Sequence, residues 1–134
     1  MDKVIAVKLE SLERCLKRVE DKYDEANFDD DFDLQDIVVL NLQRACEQSI
    51  DIAHRLIKIK QLSLPKDSAD AFTVLAEAGI IEASLATSLK KMVDFRNIAV
   101  HDYTSMNVDV IRFIVQFGTQ DIRHFMKIMY RIED

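Results

Sequence analysis

With 134 residues, only two glycines and one proline, the chain is long enough to bury one hydrophobic core and too poor in turn formers for a hairpin-rich fold. Hydrophobic residues at 49% and charged residues at 31% suit long amphipathic helices, so we expect an all-α fold of about five helices in a single domain spanning 1–134. The net charge of -6 is concentrated in residues 24–36, where seven carboxylates meet no Lys or Arg; the other 18 basic and 17 acidic residues nearly balance, so an anionic substrate is not excluded elsewhere.

Asp2, Lys3 and Lys8 interrupt any leader-like run, and no long apolar stretch follows, which predicts a cytoplasmic protein without membrane contact. Cys15 and Cys46 lack CxxC spacing and fall in helical apolar patterns, so both are expected as buried thiols and no metal site is expected. From Asp2 to about Ala26, Ile5, Leu9, Leu12, Leu16, Val19 and Tyr23 recur at steps of four and three, the mark of one buried helical stripe. Lys8, Glu10, Glu13, Arg14, Lys17, Arg18 and Asp21 lie on the other side and read as a solvated face with ion pairs inside the helix.

Asn27 to Asp33 breaks that period. Asp29, Asp31 and Asp33 have the spacing of a calcium loop, but the glycine and terminal glutamate such a loop needs are missing. A solvated loop, or a docking surface for a basic partner, is expected there. A second helix is expected from Leu34 to Leu62, with Ile37, Val38, Leu42, Ala45, Ser49, Ile52, Ala53, Leu56 and Ile59 on a broad central face. Arg44, Glu47, Asp51 and His54 run along one side, as surface polar pairs or, for Asp51, as a carboxylate turned toward the motif described below.

Pro65 is expected to end that helix, Ser68 to cap a short one to Ala78, and Gly79 to stop it. A fourth helix is predicted from Glu82 to Tyr103, with Leu85, Leu89, Met92 and Phe95 buried. A fifth begins after Asn107, with Val108, Ile111, Ile114, Val115, Ile122, Phe125, Met126 and Met129 at helical spacing as its core face. Gly118, inside the fifth, marks a bend or a close helix contact.

Chemistry-bearing side chains concentrate in Phe95-Arg96-Asn97-Ile98-Ala99-Val100-His101-Asp102-Tyr103. On a helix, Asn97 and His101 lie about 100° and 140° around from Arg96, while Tyr103 returns to the Arg96 stripe. Arg96 and His101 are also roughly 7.5 Å apart along the axis. They meet through the long arginine stem or across a partner helix, which favours a composite site in a homodimer or an assembly of dimers. Histidine titrates near neutrality and can act as general acid or base, and arginine offers a planar fork to phosphate. The plain structural alternative pairs Arg96 with Asp94 or Asp102.

An Arg-Asn-x-x-x-His-x-Tyr motif at the end of the fourth of five helices resembles the HepT toxins of the HEPN superfamily over essentially the whole chain. The resemblance implies a HEPN-like antiparallel bundle and a metal-independent ribonuclease, without cofactor, at a dimer interface. Arg96 and His101 would be catalytic, with Asn97 and Tyr103 around them; Asp51, from the polar side of the second helix, is our own expectation for a supporting carboxylate. The resemblance further implies a partner, the MNT minimal nucleotidyltransferase antitoxin, that silences the toxin by attaching AMP to Tyr103. A non-catalytic HEPN-like partner of a nucleotidyltransferase is the alternative.

Overall fold

The computed structural model describes residues 1–132, which carry helices and turns but no strand. Helix α1 is Lys3–Lys22, α2 is Phe32–Ile59, α3 is Ser68–Glu77 and α4 is Ala83–His101. Helix α5 starts with Val108–Phe113, passes through a π turn at Ile114–Gly118 and continues as Thr119–Arg131.

Ion pairs and hydrogen bonds fix the directions of the helices. Arg55 grips Asp2 at 2.9 Å and Lys8 reaches Asp51 at 2.9 Å, so the start of α1 lies beside the end of α2. The Cys46 thiol donates to the Met92 carbonyl at 3.2 Å, while Tyr103, just past α4, donates to Asp36 near the start of α2. Helix α2 therefore runs antiparallel to both α1 and α4. Apolar residues of all five helices share one core, in which Phe72 of α3 meets Phe125 of α5 edge to face at 5.7 Å.

The expected α1 stripe is buried from Ile5 to Val19, and Tyr23 packs on Phe28 at 4.9 Å. The helix ends at Lys22, four residues earlier than its period suggested, because the chain turns at Tyr23 into successive turns over 25–30. Its polar face is tied to other helices rather than within itself: Glu13 and Glu20 both hold Arg123 of α5. The acidic loop is anchored, not merely solvated. Phe28 is fully buried, and the Gln35 amide donates to the carbonyls of Phe28 and Asp29. Arg112 of α5 gathers Glu25, Asp29 and Asp109.

Helix α2 starts at Phe32, where the Asp31 carboxylate accepts the Leu34 N–H. It ends at Ile59 and not at Leu62. Gln61 adopts φ 54°, and the N–H groups of Leu62 and Gln61 return to the carbonyls of Ile57 and Lys58. That is a Schellman closure with a non-glycine residue in the left-handed position, and it stops the helix before Pro65 is reached. Ile37 and Ile59, expected inside, are exposed. Gly79 closes α3 in the same way at φ 77°, but the cap at its start is Asp67, one residue before Ser68. Asn107 caps α5 as expected, accepting the Asp109 N–H at 2.7 Å.

Gly118 proves to be a close contact, placed at the end of the π turn. The Thr119 N–H bonds to the Ile114 carbonyl five residues back, and a β-carbon on Gly118 would stand 2.6 Å from Met92 Sδ of α4. Close approach at this point seats α5 on α4 one turn before Arg96.

Candidate functional site

Helix α4 carries Arg96, Asn97 and His101 in its last two turns, held by the buried side chains of Met92, Phe95 and Ala99 on its inner face. Both Arg96 and His101 are within the regular helix. Their separation of about 140° around the axis therefore stands. Asn97 and His101 are exposed, whereas Arg96 is half-buried.

Arg96 lines an open groove of about 310 Å³ together with Glu47, Gln48, Ile50, Asp51, His54 and Ser68. Two carboxylates lie along this groove, yet each is engaged elsewhere: Glu47 accepts from Gln43 at 2.9 Å and Asp51 binds Lys8 at 2.9 Å. Asp94 and Asp102 make no ion pair with Arg96, whose Nε is buried without a hydrogen-bond partner among the described residues. A guanidinium left uncompensated at the wall of a groove suits a phosphate oxyanion, which would satisfy both its charge and its open donor. Asp51 thus lies along the Arg96 groove, but its carboxylate is paired with Lys8 rather than turned toward Arg96. His101 is not among the groove's lining residues and stands at the helix end.

Tyr103 departs from the expectation. Helix α4 ends at His101, so the projection that placed Tyr103 on the Arg96 stripe does not apply. Asp102 turns out of the helix at φ -152°, and both the N–H and the hydroxyl of Ser105 return to its carbonyl, closing a 3₁₀ turn at Tyr103–Ser105. Short polar side chains competing for backbone groups cause that break, and Asp102-Tyr103-Thr104-Ser105 was its signal in the sequence. From the turn, the Tyr103 hydroxyl reaches the start of α2 and donates to the Asp36 carboxylate. Partial burial first, and this bond second, push the phenol up to about 12. No local pattern marks Asp36 as a contact of Tyr103: 67 positions separate the two, and Asp36 belongs to the acidic run of residues 24–36.

Burial pushes the Cys46 thiol up to about 12, so it is a packing group rather than a nucleophile. A larger concavity of about 490 Å³ is walled by Asn27, Asp30, Asp31, Phe32 and Asp33, whose carboxylates would repel nucleic-acid phosphate. The calcium-like spacing is spent on structure, with Asp31 capping α2 and Asp29 bound to Arg112. Ile98 and Val100 flank His101 on the outer side of α4 and are 43% and 47% exposed. Among the described residues no helix is long and apolar enough to cross a membrane.

Comparison with known proteins agrees with this architecture. Residues 9–129 match the family model described as ribonuclease HepT-like. The mRNA nuclease HepT of Shewanella oneidensis strain MR-1 is 44% identical over 130 residues, covering 96% of this chain and 98% of the relative. The crystal structure of a toxin–antitoxin complex with AMP-PNP superposes with a TM-score of 0.93 at 41% identity, covering 98% of this chain and 100% of the other. The tri-AMPylated Shewanella oneidensis HEPN toxin in complex with MNT antitoxin gives 0.94 at 43% identity, with the same coverage.

Proposed function

The chain belongs to the HepT-like ribonuclease family, and from that premise we propose that it is the nuclease of a toxin–antitoxin pair, cutting RNA at Arg96 and His101 and silenced by an MNT-type nucleotidyltransferase through Tyr103. The observation that carries the site assignment is the half-buried Arg96 guanidinium, uncompensated at the groove wall although Glu47 and Asp51 lie beside it. Such a group is pre-set for the charge that gathers on phosphorus during cleavage, and it needs no reorganisation to meet it.

His101 moves protons. Its imidazole takes the proton of the attacking 2'-hydroxyl and, as imidazolium, returns one to the leaving 5'-oxygen, with no metal or cofactor required. Because Arg96 and His101 point to different sides of α4, two copies of the chain complete the site across a two-fold axis. The exposed Ile98 and Val100 beside His101 are the apolar surface that such a homodimer would cover. Asn97 shares the His101 side of α4 and positions substrate there. Asp51 lines the Arg96 groove and pairs with Lys8 at 2.9 Å, so its role is support. A protein that cuts RNA and answers to a nucleotide-using partner acts in the cytoplasm.

Mixing two inactive variants tests the composite arrangement. In a mixed dimer of Arg96→Ala and His101→Ala chains, one of the two sites keeps both groups, so mixing and refolding should recover about a quarter of the wild-type cleavage. Recovery should track the dimer fraction in sedimentation. Full activity of a monomer at micromolar concentration would contradict the assignment, as would undiminished cleavage by either variant alone.

A further inference from the structure

Tyr103 is 40% exposed, yet its hydroxyl is already engaged by Asp36 of α2. We propose that Asp36 is the base that takes the phenol proton of Tyr103 when a nucleotidyl group is transferred to it, so that the toxin supplies part of the machinery for its own silencing. This rests on the reading of Tyr103 as the acceptor.

The geometry assigns the proton's path. The hydroxyl donates its hydrogen to the carboxylate, so its lone pairs are not spent on that bond and stay available to attack phosphorus. Asp102, next in the chain, is not a rival: its Oδ1 accepts from Thr104 at 3.4 Å and its carbonyl accepts from Ser105 at 2.8 Å. Among the described residues the charge acting on the phenol is that of Asp36. In the reaction, the phenol oxygen forms a bond to the α-phosphorus of a nucleoside triphosphate held by the nucleotidyltransferase. The bond from that phosphorus to the bridging oxygen breaks, pyrophosphate leaves, and the proton passes to Asp36 and then to water.

Chemistry makes such a base necessary. With the phenol pushed up to about 12, roughly one molecule in 10⁵ is phenolate at pH 7, so attack through a pre-formed anion is slow. As the oxygen bonds to phosphorus its proton becomes strongly acidic. A carboxylate, far too weak to ionise free phenol, then receives the proton favourably. The same contact that holds the phenol neutral at rest thus deprotonates it during transfer.

The test is the initial rate of nucleotidyl transfer to the Tyr103 peptide, followed by mass spectrometry with saturating MNT antitoxin and ATP. Wild type is compared with Asp36→Asn, Asp36→Glu and Tyr103→Phe across pH 6–9, and binding of each variant to the antitoxin is measured separately. Asp36→Asn should bind within about twofold and lose about 10² to 10⁴ in rate at pH 7. Its rate should then climb with pH as phenolate is required, while wild type stays flat, and Asp36→Glu should recover part of the loss. A normal rate in Asp36→Asn with Tyr103→Phe unmodified would overturn the proposal and leave the acceptor in place. A slow Asp36→Asn without a pH slope would overturn it too, reducing Asp36 to a packing role. Normal modification of Tyr103→Phe would instead sink the acceptor reading itself.

Discussion

Replacing Gly118 by alanine sets two effects of opposite sign against each other, and the structure decides between them. Gly118 has ordinary helical dihedrals, φ -63° and ψ -39°, so on backbone preference alone alanine should stabilise the helix by about 1 kcal/mol. The new methyl, however, would stand 2.6 Å from Met92 Sδ and 3.0 Å from Ile114 Cγ2. Met92 is only 1% exposed and Ile114 is stiff at its branched carbon, so neither can swing away without disturbing the core. Overpacking of this kind costs about 1–3 kcal/mol, which leaves a net loss of about 1 kcal/mol and a melting temperature lower by roughly 3–5 °C. Met92 sits one turn before Arg96 on α4, so the shift should also lower RNA cleavage. Thermal unfolding of the double-mutant cycle with Met92→Ala gives the decisive sign. In that background the methyl fills space that the sulfur left, and Gly118→Ala should turn stabilising, with a coupling of about 1 kcal/mol or more. A Gly118→Ala protein more stable than wild type, or additive effects, would refute the reasoning.

Arg96→Lys should fail nearly as badly as Arg96→Ala in cleavage, because an ammonium cannot present two parallel donors to a phosphate; near-normal turnover by the lysine variant would exclude the fork. Tyr103→Phe should keep RNA cleavage and escape silencing by the antitoxin, read as growth arrest that co-expression no longer relieves. Ultraviolet titration should find the Tyr103 phenol ionising near 12, and Asp36→Asn should bring it down toward 10; an unchanged titration would show that Asp36 does not hold the hydroxyl in solution. At the other end of the molecule, Arg55 and the first-turn N–H groups hold the Asp2 carboxyl down at about 2. A depressed carboxyl contributes stability above its unfolded value of 3.8 and loses it as pH falls toward 2. Arg55→Met should therefore lower the melt at neutral pH, leave it nearly unchanged near pH 2, and so flatten the acid limb of the stability curve between pH 4 and 2.

Periodicity made the helices legible wherever a single stripe faces the core: five of the six residues picked out on α1 are buried, and Leu85, Leu89, Met92 and Phe95 of α4 are all inside. Helix ends were harder, because they depend on backbone closures that do not require a marker residue. Gly79 could be read as a stop, while Gln61, in the same left-handed role, could not. Phe28 was hidden in an acidic run, where charge suggested solvent and one aromatic ring in fact pinned the loop to the core. Arg96 and His101 were visible as residue types at a spacing. The groove beside Arg96, walled by residues of α2 and by Ser68, is a tertiary fact that no local pattern encodes, and the same holds for the bond between Tyr103 and Asp36.

The central claim, that Arg96 and His101 make this chain a metal-independent ribonuclease, is tested most directly by incubating purified wild type and His101→Ala with RNA in excess chelator. Circular dichroism should show that both share one fold and one melting transition. Wild type should cut the RNA with the chelator present, and His101→Ala should lose about 10² to 10⁴ of that rate. Cleavage abolished by the chelator, or retained in full by His101→Ala, would contradict the account.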